Sequence, residues 1–146
     1  GCLAHVYNDV AGLPTIGVGH LLTKGELMSG KLWLAQAGLS IDYRQGLADE
    51  QIDLVLRDDL LWAEQVVSTQ VTTPLAQPQY DALVSFCFNV GSSAFRNSTL
   101  LKRLNAGAYE DVPAQLRRWV HAGGRVVQGL VNRREKEVAL WEKEDA

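Results

Sequence analysis

The sequence predicts an α+β fold in which a long helix joins a small β-hairpin lobe to a larger helical lobe. Three observations lead to this prediction. A stretch rich in Gly, Thr, Ile and Val occupies residues 9–20, near the start of the chain. From residue 48, apolar side chains recur at helical spacing. From residue 78 onward, capping residues and glycines divide the chain into several segments of helix length.

The β part of the prediction lies in the first third of the chain. Residues 1–8 are typical of the tail of a helix, whereas 9–20 predict a small hairpin that turns at Ala11-Gly12. The stretch 21–47 combines several glycines with short apolar runs. It therefore predicts irregular strand and short helix.

A long amphipathic helix is expected to begin at Ala48. Asp49 and Glu50 suit its first turn, because acidic side chains are favourable near a helix N-terminus. Over about 19 residues the apolar positions follow a helical period; they are Ile52, Val55, Leu56, Leu60, Ala63 and Val67.

The remaining segments predict helices only. Residues 78–90 are apolar nearly all round, which is typical of a buried central helix, and Gly91 is a natural stop. Ser98 is placed to cap a helix through 104, and Asp111 to cap one that tolerates a proline in its first turn. The latter carries Pro113, Leu116 and Trp119. The last helix, 129–143, is expected to turn these side chains toward the core: Leu130, Val131, Val138, Leu140 and Trp141.

Length and composition suit one globular domain. The 146 residues are 47% hydrophobic, 21% charged and 8% aromatic, which is ordinary for a folded protein. We expect a single domain over 1–146, with lobes at about 9–47 and 60–146 and a helix remnant at 1–8. No run is long enough for a membrane span, and an export signal or anchor would lie upstream of Gly1.

Charge and cysteine content argue against several kinds of partner. The net charge of -3 gives no field that would attract nucleic acid. Cys2 and Cys87 have neither metal-ligand spacing nor a disulfide framework, so we expect small buried hydrophobes, no metal and no cofactor. Five arginines lie late in the chain. They indicate either a solvated helix face or a surface that attracts an anionic polymer. They are Arg117, Arg118, Arg125, Arg133 and Arg134.

Asp9 and the strand after it are the first candidates for chemistry. Asp9 lies where helix is expected to give way to hairpin, so its carboxylate should project into open space. Side chains alternate along 14–20, which places Thr15 with two glycines on a face that a ligand could approach closely. The residues alone leave the alternative open, because Asp before a turn and Gly-x-Gly in a hairpin are commonly matters of geometry.

His20 falls on the other face of that strand, with Ile16 and Val18. An apolar face favours a structural histidine over a catalytic base. Its expected partner is Asp59, on the buried side of the long helix, with Asp58 as the alternative if the register is off by one.

Three blocks of sequence resemble the phage lysozyme family. They stand in family order and span nearly the whole chain. The first joins 7–9 to 15–22, the second joins 88–91 to 95–101, and the third joins 116–119 to 129–135. In the same order they read Tyr7-Asn8-Asp9 with Thr15-Ile16-Gly17-Val18-Gly19-His20-Leu21-Leu22, Phe88-Asn89-Val90-Gly91 with Phe95-Arg96-Asn97-Ser98-Thr99-Leu100-Leu101, and Leu116-Arg117-Arg118-Trp119 with Gly129-Leu130-Val131-Asn132-Arg133-Arg134-Glu135.

The resemblance implies a muramidase that hydrolyses peptidoglycan with inversion. Its motif is Glu-Gly, seven residues, Asp, five residues and Thr, so Asp9 would activate the water and Thr15 would hold it. The acid Glu falls at the position before Gly1, and we expect the chain as written to be inactive or much less active without it. As substitutes for that acid we discount four side chains, His5, Glu26, Glu50 and Glu64.

The resemblance also implies substrate contacts in a cleft between the lobes. The side chains expected to line it are Leu21, Phe88, Asn89 and Ser98. From the residues alone Phe88 fits the core equally well. The family tends to have a polar residue where Pro113 stands, so this chain departs from the family at that position.

The leading function is therefore a peptidoglycan hydrolase that acts on the glycan strands of bacterial cell walls for host lysis. We expect a monomer that stays in the host cytoplasm until it is released to the periplasm and wall. Two alternatives are a glycan-binding homologue without activity and a lytic transglycosylase. The latter needs only the acid, and Asp9 with Thr15, suited to holding a water, argue against it.

Overall fold

The structure is a computed structural model that describes residues 2–9 and 13–143. The chain forms two compact units, Gly1–Trp62 and Ala63–Ala146. The first unit combines strands with helix, and the elements of the second are mainly helical. The boundary lies close to residue 60, where the helical lobe was expected to begin. The expected single domain stays a prediction.

The first unit contains a three-stranded antiparallel sheet of β1 (Cys2–Asn8), β2 (Pro14–Val18) and β3 (His20–Leu21), with β2 in the middle. The expectation of a helix tail at 1–8 is wrong. A short segment is a marginal helix by itself, whereas pairing with β2 gives the backbone of β1 hydrogen-bond partners. Cys2 therefore lies in a strand and not in a helix. The expected turn at Ala11-Gly12 lies outside the described residues.

The rest of this unit contains α1 (Lys24–Ser29), β4 (Lys31–Leu34) and β5 (Leu39–Asp42). This mixture of short helix and strand matches the expectation for 21–47. Thr23 caps α1, and Gly30 ends it at φ 71°, in the left-handed region that glycine tolerates. The buried core of the unit consists of Ile16, Leu22, Leu32, Leu34, Ile41, Tyr43, Leu47, Ile52 and Val55.

The expected long helix is α2 (Asp49–Gln70), with 22 residues. It starts within one residue of the expected position, and the boundary between the units falls inside it. The apolar period over this stretch therefore predicted the element correctly.

The second unit contains α3 (Gln77–Val90), α4 (Ser92–Arg96), α5 (Thr99–Asn105), a 3-10 turn (Tyr109–Asp111), α6 (Val112–Leu116) and α7 (Gln128–Trp141). The central helix, its stop at Gly91 and the Ser98 cap are confirmed. The helix expected from Asp111 is shorter than expected, and Trp119 lies beyond its end. Asp111 makes no side-chain cap and instead pairs with Arg103.

Between α6 and α7 the chain forms a small hairpin of β6 (His121–Ala122) and β7 (Arg125–Val126). Gly123 and Gly124 form its turn, both with positive φ. In α7, Val138 and Trp141 are buried as expected, while Leu130, Val131 and Leu140 are half-buried. Helices α3 and α7 pack against each other. Cys87 of α3 is a buried free thiol.

Candidate active site

Asp9 follows β1 and fixes the connection to β2. Its backbone N–H donates to the carbonyl oxygen of Leu13 at 2.9 Å, and its Oδ1 accepts from the Leu13 N–H at 2.8 Å. The side chain is half-buried and does not project freely into solvent. The carboxylate therefore has a defined direction at the end of the hairpin.

Thr15 also bonds to the backbone of Leu13. It is 1% exposed, and its hydroxyl donates to the carbonyl oxygen of Leu13 at 2.9 Å. Its neighbours across the sheet are Tyr7 in β1 and Leu21 in β3. Because its hydrogen is used by Leu13, the hydroxyl oxygen can only accept from a further partner. The structure thus brings together two of the predicted site residues, Asp9 and Thr15.

The expected alternation along this strand is only partly correct. Ile16 is fully buried as expected, but Thr15 on the opposite face is buried too. The strand also ends at Val18, and Gly19 turns at φ 73°, so His20 belongs to the next strand. Leu21, opposite Thr15, is 47% exposed.

His20 lies between two carboxylates. Its Nδ1 is 3.0 Å from Oδ2 of Asp59, and its Nε2 is 3.1 Å from Oε1 of Glu26. The register of α2 thus selects Asp59; the carboxylate of Asp58 instead accepts the backbone N–H groups of Gln36 and Ala37. Burial lowers the pKa of His20, but its bonds to Asp59 and Glu26 outweigh burial and raise the pKa to about 10.

Glu26 is the residue of this cluster that sequence reasoning missed. Its carboxylate accepts from His20 and from the backbone N–H groups of Thr23 and Trp33. Burial raises the pKa of Glu26, but the His20 bond, the backbone bonds and the charge of His20 lower it overall. The spacing Thr23-x-x-Glu26 is a capping-box signal that could have predicted the Thr23 bond. The contact with His20 depends on the tertiary fold.

The predicted substrate contacts of the second unit occupy two places. Phe88 and Asn89 lie in the last turn of α3, and both are half-buried. Ser98 is 4% exposed; its hydroxyl donates to the Phe95 carbonyl at 2.7 Å and accepts from the Leu101 N–H at 3.1 Å. Both bonding directions of this hydroxyl are in use, which favours its capping role. Its contact with substrate stays a prediction.

The sequence is similar to proteins of known family. A model of the phage lysozyme family matches residues 1–137. The chain belongs to the phage lysozyme family. It is 38% identical over 135 residues to the endolysin of Salmonella phage P22, covering 92% of this chain and 84% of that protein. It is 39% identical over 135 residues to the SAR-endolysin of Escherichia phage Mu, covering 92% and 69% respectively.

A solved structure supports the fold class of this phage lysozyme family member. The muramidase domain of SpmX from Asticaccaulis excentricus matches with a TM-score of 0.73 and 30% identity, covering 99% of this chain and 89% of that one. The predicted α+β, lysozyme-like fold is therefore confirmed.

A buried ion pair in the second unit was not predicted. Arg134 Nε lies 2.7 Å from Oε1 of Glu137, and both side chains are almost fully buried. Ser85 donates to Glu137 at 2.6 Å, and the Arg134 guanidinium lies 5.1 Å from the ring centroid of Phe86. Burial lowers the pKa of Arg134 and raises that of Glu137. The solvated arginine face expected late in the chain fits Arg117, which is exposed and bonded to Glu135, but it is wrong for Arg134.

The described residues hold no group of three or more His, Cys, Asp or Glu side chains that could bind a metal ion. Within the same part of the chain, no helix has both the length and the apolar character needed to cross a membrane.

Proposed function

We propose that this protein hydrolyses the β-1,4 bond between N-acetylmuramic acid and N-acetylglucosamine in the glycan strands of bacterial peptidoglycan, for lysis of a phage host. One observation supports this most directly. Asp9 and Thr15 stand at the family positions for the catalytic carboxylate and threonine, and both bond to the backbone of Leu13. Family membership over residues 1–137 adds to it.

The geometry suggests how these side chains handle the attacking water. A water has two hydrogens, and both Asp9 and the oxygen of Thr15 accept hydrogen bonds. Held by both acceptors, the water turns a lone pair toward the anomeric carbon, and Asp9 takes its proton as the bond forms. The bond from Thr15 to Leu13 keeps the hydroxyl in the accepting orientation. Water attack from the side opposite the leaving sugar inverts the anomeric centre.

The leaving sugar oxygen needs a proton from a second carboxyl group. The family motif places this acid immediately before Gly1. We propose that Glu at that position protonates the leaving oxygen, and that none of His5, Glu26, Glu50 and Glu64 replaces it. Glu26 is bound to His20, Thr23 and Trp33, which supports leaving it out of the reaction.

The test compares the protein with Glu or with Gln at the position before Gly1. We expect the Glu form to digest purified peptidoglycan sacculi at least about 100-fold faster, because a positioned acid contributes roughly 10²–10⁴ in rate. Asp9→Asn in the Glu form should abolish digestion, while its Oδ1 still accepts from Leu13. Asp53→Asn, an exposed change in α2, is the matched control. Equal digestion by the Glu and Gln forms, or by Asp9→Asn and Asp53→Asn, would refute these roles.

Product analysis separates the alternative functions. A hydrolase leaves reducing N-acetylmuramic acid ends, whereas a lytic transglycosylase leaves an anhydro sugar. A binding homologue would sediment with sacculi and release neither product. The water site that we propose for Asp9 and Thr15 favours hydrolysis over transglycosylation.

We further propose that the protein acts as a monomer and reaches the wall after release from the host cytoplasm. Support for release comes from the names of its relatives, endolysin and SAR-endolysin. Leu21, Phe88 and Asn89 are proposed as substrate contacts. Leu21 is exposed, and Phe88 and Asn89 are half-buried, so each has surface that a ligand could contact.

A further inference from the structure

The first unit has an exposed apolar group to which none of the proposed catalytic residues belongs. Its three large side chains lie close together in the sequence: Met28 is 80% exposed, Trp33 58% and Leu27 45%. Over residues 2–9 and 13–143, Met28 is the most exposed large hydrophobic residue. Single exposed hydrophobic side chains are ordinary on a protein surface, whereas a group of them indicates an interaction site.

Two of these side chains share a face of α1 with a lysine. Lys24, Leu27 and Met28 are three and four positions apart, and residues at this spacing lie on the same side of a helix. All three are exposed, whereas Glu26 lies on the opposite side and is buried. The hydroxyl of Tyr43 donates to the Glu26 carbonyl oxygen at 2.8 Å. The buried side of α1 therefore attaches it to the unit and leaves the other side open.

Trp33 extends this exposed area onto β4. Side chains alternate along the strand, so Leu32 and Leu34 are buried in the core while Lys31 and Trp33 are exposed on the outer face. The backbone N–H of Trp33 donates to the carboxylate of Glu26 at 3.4 Å, and α1 packs against β4. The two exposed faces therefore lie side by side. We call their five exposed side chains the Met28 surface: Lys24, Leu27, Met28, Lys31 and Trp33.

The Met28 surface is bordered by positive charge. Neither Lys24 nor Lys31 forms an ion pair with a carboxylate of the residues that the structure describes. The exposed charged residues between 24 and 44 are these two lysines, Arg44 and Asp42, and the last two are bonded to each other. This part of the surface is therefore positive, although the whole chain carries a net charge of -3.

We propose that the Met28 surface docks the protein on an anionic phospholipid bilayer. Leu27 and Met28 enter the boundary between headgroups and acyl chains, Trp33 lies at headgroup level, and the two lysines approach the phosphates. A second copy of the chain would bring two positive surfaces together. A glycan strand would use Trp33 but would give the aliphatic side chains no partner. The bilayer matches both the apolar group and the charge around it.

Vesicle sedimentation tests this contact without depending on catalysis. The probes are vesicles of equal parts phosphatidylglycerol and phosphatidylcholine, and vesicles of phosphatidylcholine alone. We expect the full chain to bind the anionic vesicles at least about tenfold more tightly, and high salt to weaken that binding. Absence of binding to the anionic vesicles, or equal binding to both kinds, would overturn the proposal.

Exposed positions on the two units provide matched variants. Met28→Ser and Trp33→Ser should each weaken binding to the anionic vesicles at least about fivefold, because each removes apolar area that the bilayer covers. Val126→Ser, at a 62% exposed position in β7, should leave binding within about twofold. If Trp33→Ser does not fold, Met28→Ser decides the result. Parental binding by Met28→Ser, or an equal loss in Val126→Ser, would overturn the proposal.

A second pair of variants isolates the charges. Lys31→Gln should weaken binding to the anionic vesicles severalfold, whereas Lys136→Gln, the same change at an exposed position of α7, should not. Equal effects of the two changes would show attraction by net charge alone and overturn the proposal.

Other occupants of the Met28 surface can be recognised with the same proteins. If a second copy covers it, the chain dimerises in sedimentation equilibrium and Met28→Ser makes it monomeric. If it binds sugar, isolated glycan strands displace the chain from the vesicles. Either result would overturn the proposal. The vesicles contain no peptidoglycan, so their outcome is independent of whether the protein hydrolyses glycan strands.

Discussion

Nδ1 of His20 lies 3.0 Å from Oδ2 of Asp59, which joins the start of β3 to the middle of α2. The other ring nitrogen is 3.1 Å from Glu26, so one imidazolium ties together three elements of the first unit. Its side chain is only 14% exposed, so both ring hydrogens need these acceptors. We expect this cluster to stabilise the fold, whereas Asp9 and Thr15 form the proposed water site.

The first prediction concerns the pH dependence of stability. The pKa of His20 is raised from 6.5 to about 10 on folding, so its contribution is complete below pH 6.5 and is lost as pH rises toward 10. His20→Asn should therefore lower the free energy of unfolding by about 3 kcal/mol at pH 6, and by much less at pH 9.5. Urea unfolding at both pH values measures this. His121→Asn, an exposed change in β6, is the control, and equal losses at both pH values would contradict the assignment.

A second prediction isolates Glu26. Glu26→Gln removes its charge but keeps an oxygen that accepts from Thr23. The titration midpoint of His20, followed by NMR, should fall below about 10, because one of the two carboxylates that favour the imidazolium is lost. Glu50→Gln, in the exposed first turn of α2, should leave the midpoint unchanged. A midpoint that also stays at about 10 in Glu26→Gln would show that Asp59 alone sets it.

The third prediction concerns the buried pair of Arg134 and Glu137. Arg134→Met leaves the Glu137 carboxylate buried without its cation and should cost about 3–5 kcal/mol. Adding Glu137→Leu should recover much of that loss, because a charge no longer has to be buried and half-buried Ser85 can bond to water instead. A double-mutant cycle by chemical unfolding measures both effects. Additive losses in the double variant would contradict this account.

The fourth prediction decides between two roles for Ser98. Loss of an N-cap hydroxyl typically costs about 1 kcal/mol, so Ser98→Ala should lower stability by that amount. Since the hydroxyl is already bonded to Phe95 and Leu101, KM for peptidoglycan should not change. Ser93→Ala, an exposed position in α4, is the control for both measurements. Unchanged stability with a raised KM would instead support the substrate contact that the family resemblance implies.

Local signals in the sequence determined the elements whose stability is local. The apolar period predicted α2, Gly91 ended α3 where expected, and Ser98 capped α5. The same period placed Asp59 on the side of α2 that meets His20. The motif spacing predicted Asp9 and Thr15 as one site, and both bond to the backbone of Leu13 where β1 pairs with β2.

The tertiary structure decided where a segment depends on a distant partner. Residues 2–8 become a strand because β2 supplies their hydrogen bonds, and no helical period within the segment could show this. Glu26 reaches His20, and Arg134 becomes a buried charge, because folding places each beside an opposite charge that compensates its loss of water. In a single sequence, each of these residues has the same appearance as a solvated one. A buried charged residue differs from a solvated one in its dielectric environment and in its charged partners. Both are created only when the chain packs.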